Sequence, residues 1–141
     1  MKLHTTFLEV ETKGFNDIID LTPRLNELVA ASHITEGTVL VFVPGATAGI
    51  TTIEYEPGLL KDLPEMLDNL IPMGHRYHHD DTWHDGNGYA HLRAALIKPD
   101  LLIPVHKGRL ILGTWQQVVL VDFDNRPRHR RIAVQITGMT Y

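Results

Sequence analysis

The alternation of apolar and polar positions along the chain predicts mostly strands. Residues 3–12 alternate and are rich in β-branched side chains, which favours a strand that ends before Gly14. The valine-rich run from residue 38 to Pro44 is too short for a helix and is typical of a buried central strand. Further β-rich runs cover residues 50–55, 101–106, 109–112, 114–123 and 129–137.

Apolar residues at helical spacing predict two helices and a shorter third one. The first begins at Thr22, a good N-cap residue, with Pro23 at the first helical position. The second covers residues 57–71 and ends before a proline. Good helix formers at 90–96 predict a short helix that begins near Asn87. Between the last two helices the chain is polar and aperiodic, which indicates a loop.

These elements predict an α+β fold. We expect six or seven mostly antiparallel strands and two or three helices in a single compact domain that covers residues 1–141. The chain of 141 residues is long enough for a substantial core. Its 43% hydrophobic and 21% charged residues are close to globular averages.

Composition excludes several classes of function. The chain has no cysteine, which excludes disulfides, thiolate nucleophiles and Cys-based metal sites. A net charge of −4 gives no support for nucleic-acid binding. No apolar run approaches a membrane span, and the N-terminus lacks the apolar stretch of a signal peptide, so we expect a cytoplasmic protein without a membrane partner. No nucleophile elbow, Walker loop, dinucleotide fingerprint or HExxH helix is present.

The chain is rich in histidine, and many of its nine histidines lie in one segment. The segment 75–91 contains His75, His78, His79, Asp80, Asp81, His84, Asp85 and His91. Imidazole and carboxylate together suit zinc or manganese, and carboxylate with water suits magnesium. The first three histidines and first two aspartates are equally consistent with solvated loop or turn residues. His84, Asp85 and His91 are the stronger candidates, because a glycine-asparagine turn joins them.

That turn, Gly86-Asn87-Gly88, adds a candidate anion site. Its glycines allow a sharp turn and a close approach of the backbone to a ligand. If a helix begins at Asn87, its first amides would bind a phosphate or a carboxylate. One short segment therefore offers metal ligands, a general acid or base, and a phosphate cradle.

The sequence GTWQ, residues 113–116, interrupts a β-rich run with a glycine. A glycine inside a strand often marks a bulge or a close approach by a ligand. Trp115 and Gln116 would then point to opposite faces, one as a stacking surface and the other as a hydrogen-bonding group. A core tryptophan and an exposed glutamine are the alternative.

Two further sets of residues could bind phosphate oxygens. The basic cluster consists of Arg126, Arg128, Arg130 and Arg131. In a strand its even-numbered members share one face and could bind phosphate bidentately, although a solvated face or a subunit-contact rim is the alternative. The second set is Thr47, Thr51 and Thr52, in a small-residue segment after the valine-rich run, where a plain turn is the alternative.

The chain resembles the YjbQ-like family nearly from end to end. The resemblance lies in HDGNGYAHLRAAL, PVHKGRLILGTWQQVVLVDFD and RPRHRR, together with TPRLNELVAAS and TAGITTIEYEPG. The pairing of HDGNGYAHL with GRLILGTWQ is much more specific than either piece alone. Proteins of that family are described as secondary thiamine-phosphate synthases.

The resemblance implies a compact α+β fold, a homotrimer, a bound divalent metal and a polar pocket that lies between subunits. The polar site residues it implies are His84, Asp85, Asn87, His91 and Gln116. Of these, His84, His91 and Asp85 are the expected ligands of magnesium or zinc. The residues expected to contact substrate are Thr47, Thr51, Gly88, Trp115 and Arg128.

The chain departs from the family pattern in one place. Many members have a histidine-threonine pair in the loop after the first buried strand, where this chain has Gly45-Ala46. If that histidine is a metal ligand, this chain has one ligand fewer, and a weaker zinc site is expected.

Three functions are consistent with these residues. The first is a metal-assisted transferase that joins a pyrimidine methyl diphosphate to a thiazole phosphate, as the resemblance implies. The second is a metal-dependent hydrolase of a small phosphorylated or amide substrate, with His84 or His91 as the base. The third is a trimeric protein that binds a small ligand or a metal without turnover. A small phosphorylated molecule and a second copy of the chain are thus the expected partners.

Overall fold

The computed structural model describes residues 1–140, which form eight strands and four helices. The strands are β1 (Lys2–Thr12), β2 (Asp17–Asp20), β3 (Glu36–Phe42), β4 (Ala48–Ile53), β5 (Asp100–His106), β6 (Arg109–Leu110), β7 (Gln117–Asp122) and β8 (Arg128–Met139). The helices are α1 (Thr22–Ser32), α2 (Leu59–Leu70), α3 (His78–Trp83) and α4 (Gly88–Ile97). The predicted α+β class is confirmed. None of the described helices is long and apolar enough to cross a membrane.

Two antiparallel sheets organise the chain. The larger has the strand order β1-β8-β3-β5-β6, and the smaller has the order β2-β7-β4. The strand β8 pairs on one side with the whole of β1, from Gly138↔Lys2 to Arg128↔Thr12, and on the other side with β3. The sheet pairings therefore bring the start of β8 close to the end of β1.

The core has two layers, and β7 lies between them. Val118 and Leu120 face the larger sheet and α1, whereas Val119 and Val121 face a second cluster beneath α2 and α4. Because both faces of β7 are covered, its sequence is a continuous apolar run rather than an alternating one. It ends at Asp122, directly beside the polar site described below.

The structure adds two elements to the prediction and shortens two others. The strand β2 and the helix α3 are additional, because one is only 4 residues long and the other has no buried side chain to give an apolar period. The run predicted as a strand over 114–123 begins only at Gln117, and the run predicted over 109–112 ends at Leu110. Residues 113–116 instead form a turn that the Gln116 amide closes on the Gly113 carbonyl at 3.1 Å.

The closest backbone approach lies between β3 and β8, where Gly37 faces Gly138. A Cβ on Gly138 would lie 2.1 Å from the Glu36 carbonyl oxygen, so Gly138→Ala must separate two paired strands. We expect it to lower the free energy of unfolding by about 3 kcal/mol in denaturant titrations. Gly74→Ala is the matched control, because nothing lies within 4 Å of its Cβ position. Equal stability of the two variants would contradict the close approach.

Candidate active site

The candidate site begins with two buried carboxylates after the apolar run of β7. The side chains of Asp122 and Asp124 both have 0% exposure, which is rare for carboxylates unless they are paired. Asp122 receives two hydrogen bonds from Arg130, from Nε at 2.7 Å and from a terminal nitrogen at 2.8 Å. The Thr12 hydroxyl donates a third at 2.6 Å. This group connects β7 to β1 and β8.

Asp124 is the centre of the second part of the network. Its carboxylate accepts hydrogen bonds from Arg128 Nε at 2.7 Å, from the Thr47 hydroxyl at 3.1 Å and from Asn87 Nδ2 at 3.2 Å. The backbone amide of Asn125 donates another at 2.8 Å. Burial alone would raise the pKa of Asp124, but these hydrogen bonds lower it to about 2. Asp124 is therefore charged throughout the neutral range.

The side-chain amide of Asn87 links Asp124 to His79. A carboxylate only accepts hydrogen bonds, so the amide nitrogen of Asn87 must face Asp124, and its oxygen faces His79. His79 Nε2 lies 3.0 Å from that oxygen and 3.3 Å from Asp85 Oδ1. Both partners are hydrogen-bond acceptors, which favours the tautomer with hydrogen on Nε2. Nδ1 then carries the free lone pair.

His91 stacks against His79 from the first turns of α4. Their ring centroids are 4.1 Å apart, with the planes tilted by 43°. Burial lowers the pKa of His91, and the positive charge on a protonated His79 lowers it further, against the opposing effect of Asp85. His91 is therefore neutral near pH 7 and can accept a proton.

The first amide of α4 is already occupied. The Gly88 N–H donates to Asp80 Oδ1 at 3.0 Å, and the amides of Ala90 and His91 both bond the Asn87 carbonyl. A Cβ on Gly88 would lie 2.7 Å from Tyr77 Cβ, so this glycine is needed for packing. The phosphate cradle that the sequence predicted here is thus replaced by a carboxylate of the protein itself.

A possible metal-ligand set is formed by His79, Asp80 and Asp85. Each offers one ligand atom, and these atoms lie within 4.8 Å of one another. One imidazole with two carboxylates suits zinc, manganese or magnesium, so the residues fit the divalent cation that the sequence implied. His84, predicted as a ligand, is exposed and ends α3 in a left-handed conformation with φ 58°. The possible ligand set therefore contains His79 and neither of the predicted ligands His84 and His91.

The sequence did not single out His79 because its helix was not predicted. Without α3, His79 belonged to a polar loop of several equivalent histidines. A weak signal was present, since two aspartates at 80 and 81 are favourable in a first helical turn. The HDGNG motif contributes Asp85 and Asn87, which both contact His79.

The GTWQ residues lie at the opposite end of β7 from this cluster. Gln116 donates to the Thr52 hydroxyl at 3.2 Å and accepts from the Gly113 amide at 3.0 Å. From Gln117 to Asp122 the strand extends about 17 Å, so one copy of the chain does not bring Gln116 to the histidines. Trp115 is 72% exposed.

The predicted threonines are also separated in space. Thr47 is only 6% exposed and is held between Asp124 and Arg130, whose terminal nitrogen donates to its hydroxyl at 2.8 Å. Its hydroxyl is therefore committed to the buried network. Thr51 is half-buried on β4, opposite Val119.

The arginine cluster divides into different environments. Arg130 is buried and committed to Asp122, while Arg131 lies on the other face of the larger sheet, 3.8 Å over the Phe7 ring. Arg128 and Arg126 line an open cleft of about 300 Å³ together with Asp85, Asn87 and Asn125. The predicted phosphate-binding row of three arginines is thus wrong for Arg130, because its guanidinium serves a buried carboxylate.

Known proteins share both the fold and the sequence of this chain. The sequence profile of the YjbQ-like UPF0047 proteins matches residues 6–139. A UPF0047 protein of Archaeoglobus fulgidus is 38% identical over 128 residues, which is 91% of this chain and 97% of that protein. The UPF0047 protein YugU of Bacillus subtilis is 33% identical over 132 residues, or 93% of this chain and 97% of YugU.

Solved structures agree with these relatives. A hypothetical protein of Aeropyrum pernix has a TM-score of 0.89 and 32% identity, covering 96% of this chain and 99% of its own. A YbjQ-like protein of Sulfolobus solfataricus has a TM-score of 0.88 and 29% identity, covering 98% and 100% respectively. The molecule is an α+β protein with a histidine–carboxylate cluster. It belongs to the YjbQ-like UPF0047 family.

Asp124→Asn tests the buried network. The substitution leaves Arg128 without its charged partner, so we expect a loss of about 3 kcal/mol in the free energy of unfolding at pH 7. The lowered pKa of Asp124 stabilises the fold above its unfolded-state value near 3.8, and this is lost as the pH falls towards about 2. Between pH 3.8 and about 2, the free energy of unfolding of Asp124→Asn should therefore fall less than that of wild type.

The control is Asp81→Asn, at an exposed ion pair with Arg76, which should cost under about 1 kcal/mol. A similar cost for both variants would contradict the network.

The histidine pair is tested by following imidazole resonances through a pH titration. His91 should titrate below the ordinary histidine value of 6.5, and His79→Ala should raise its pKa because both burial and the neighbouring charge are removed. His129 is the internal control: hydrogen bonds to Glu11 and then Glu9 raise its pKa, and it lies on the outer face. A His91 pKa that His79→Ala leaves unchanged would rule out the coupling.

Proposed function

We propose that this protein is a metal-assisted transferase that joins a pyrimidine methyl diphosphate to a thiazole phosphate, the thiamine-phosphate synthase reaction implied by the family resemblance. The observation that carries the proposal is the position of Asp85. Its carboxylate lies 3.3 Å from His79, and Asp85 is also one of the residues that line the arginine cleft. A cation ligand and two guanidinium groups therefore share one open site.

The reaction requires stabilisation of a leaving group rather than a covalent intermediate. The bond between the pyrimidine methyl carbon and the diphosphate oxygen breaks, and diphosphate leaves with the electron pair. The thiazole nitrogen uses its lone pair to form the new carbon–nitrogen bond. A divalent cation held by His79, Asp80 and Asp85 would neutralise charge on the departing diphosphate.

The protein's own residues orient this site. Asn87 fixes the His79 ring through its amide oxygen, and Asp124 fixes both Asn87 and Arg128. These contacts are all made within the protein, and such orientation by the protein itself is the condition for effective electrostatic stabilisation. Asn87 and Asp124 are therefore positioning residues, and Arg128 offers its remaining N–H groups to phosphate oxygens.

One observation favours the second candidate, a metal-dependent hydrolase. The lowered pKa of His91 leaves it neutral and able to accept a proton from water. The transferase does not need such a base, because the thiazole nitrogen attacks with a free lone pair. The two reactions thus differ in their demand on His91.

We further propose that the chain acts as a homotrimer, as the resemblance implies. The distance between the two ends of β7 supports this, since Gln116 and the exposed Trp115 would reach a histidine cluster only on a neighbouring copy. Sedimentation equilibrium should give three times the mass of 15.9 kDa.

The transferase is tested by thiamine-phosphate formation after metal removal and resupply of a divalent cation. Wild type should form product, and Asp85→Asn should lose about a hundredfold or more in rate. Asp81→Asn, a nearby carboxylate paired with Arg76 at the surface, is the matched control and should retain its rate. Product formation that is equal in wild type and Asp85→Asn would contradict the proposal.

His91→Gln separates the two candidate reactions. In the transferase it should change the rate only modestly, because no proton is transferred in the reaction above. In a hydrolase it should remove about a hundredfold or more of the rate. Binding of both substrates without turnover would instead favour a non-catalytic binding protein.

A further inference from the structure

We propose that the cleft beside Asn87 is a phosphoryl-binding subsite in which Arg126 is the recognition residue, and that its occupancy is coupled to a divalent cation at Asp85. The inference rests on the metal site of the proposed function. It adds the residue that recognises the phosphoryl group and the coupling of that group to the cation.

Arg126 has the most available guanidinium of the four cluster arginines. Arg130 is paired with Asp122, and Arg128 contacts Asp124 through Nε and one terminal nitrogen. Arg126 is exposed and has no hydrogen-bond or ion-pair partner among residues 1–140. All five of its N–H donors remain free for a ligand.

The backbone that carries Arg126 is fixed on both sides. The neighbouring Asn125 donates its amide N–H to Asp124 and its side-chain Nδ2 to the Asp85 carbonyl at 2.8 Å. Gly14 lies against the Arg126 carbonyl so closely that a Cβ there would be 2.4 Å from its oxygen. The turn is therefore held between the buried network and the loop that carries Asp85. These contacts fix the backbone position from which the Arg126 side chain extends.

The charges of the cleft explain the coupling. Arg126 and Arg128 attract an anion, but the half-exposed Asp85 carboxylate lines the same cleft and repels it. A cation bound to Asp85 converts this repulsion into attraction. By linkage, the anion must then strengthen cation binding by the same factor.

The number of oxygens in the ligand should favour phosphoryl over carboxylate groups. A planar guanidinium binds two oxygens of either group in a bidentate manner. A phosphate monoester has a third oxygen, which would remain for a cation at Asp85 while Arg126 holds the other two. A carboxylate has no third oxygen, so it could contact that cation only by giving up one of its two contacts with Arg126.

The test uses calorimetric titration of phenyl phosphate into the intact protein with one equivalent of Mn²⁺. Arg126→Ala should weaken phenyl phosphate binding about tenfold, because a charge-assisted bidentate contact is lost. Arg131→Ala, an exposed arginine on the opposite face of the sheet, is the matched control and should bind as wild type does. Omitting Mn²⁺ should weaken binding by about tenfold, and benzoate should bind wild type about tenfold more weakly than phenyl phosphate.

The outcomes separate this inference from the proposed function. The inference would be overturned if phenyl phosphate binding were unchanged in Arg126→Ala, independent of Mn²⁺ or matched by benzoate binding. If Mn²⁺ still bound to wild type in that case, the proposed metal site would stand. Absence of Mn²⁺ binding to wild type, measured separately, would overturn both the metal site and the coupling. Loss of Mn²⁺ binding in Asp85→Asn, with phenyl phosphate still dependent on Arg126, would support the assignment of both residues.

Discussion

The structure depends on one interaction, the pairing of two buried carboxylates with two arginines at the end of β7. Asp122 binds Arg130 and Asp124 binds Arg128, so two buried negative charges meet one buried and one partly exposed positive charge. Such pairs contribute little net stability compared with apolar residues, but loss of one partner is costly. Their effect here is geometric. They fix the smaller sheet to β8 of the larger sheet and hold Asn87 at the start of α4.

The charges of the buried network compensate one another, and this determines which charged groups at the surface are free to contact a ligand. Because the buried charges compensate one another, the groups left outside are an unpaired guanidinium at Arg126 and a mixed imidazole–carboxylate cluster around Asp85. Positive and negative groups thus stand side by side at one open cleft. That arrangement suits a ligand that brings its own negative charge together with a cation, and it suits a lone anion poorly.

The sequence predicted the elements that carry a clear apolar pattern and missed those that do not. The continuous apolar run of β7 was recognised because both of its faces are buried, and α2 because its apolar stripe is regular. The helix α3 has no buried side chain and therefore no apolar periodicity from which it could be predicted. His79, which lies on this helix, was for that reason not distinguished from the other histidines. The pairing of Asp122 with Arg130 joins two strands through a turn. Neither residue looked exceptional alone, since their partnership depends on the way the turn between β7 and β8 folds back.

The departure at Gly45-Ala46 fits the local backbone of this chain. Gly45 has φ +117°, a conformation that glycine adopts readily and a histidine only with strain, and a Cβ there would lie 3.1 Å from a terminal nitrogen of Arg130. A side chain at this position would therefore press on the buried network. Without an imidazole from that loop, the residues that could hold a cation are one histidine and two carboxylates. Such an oxygen-rich donor set would suit manganese or magnesium better than zinc.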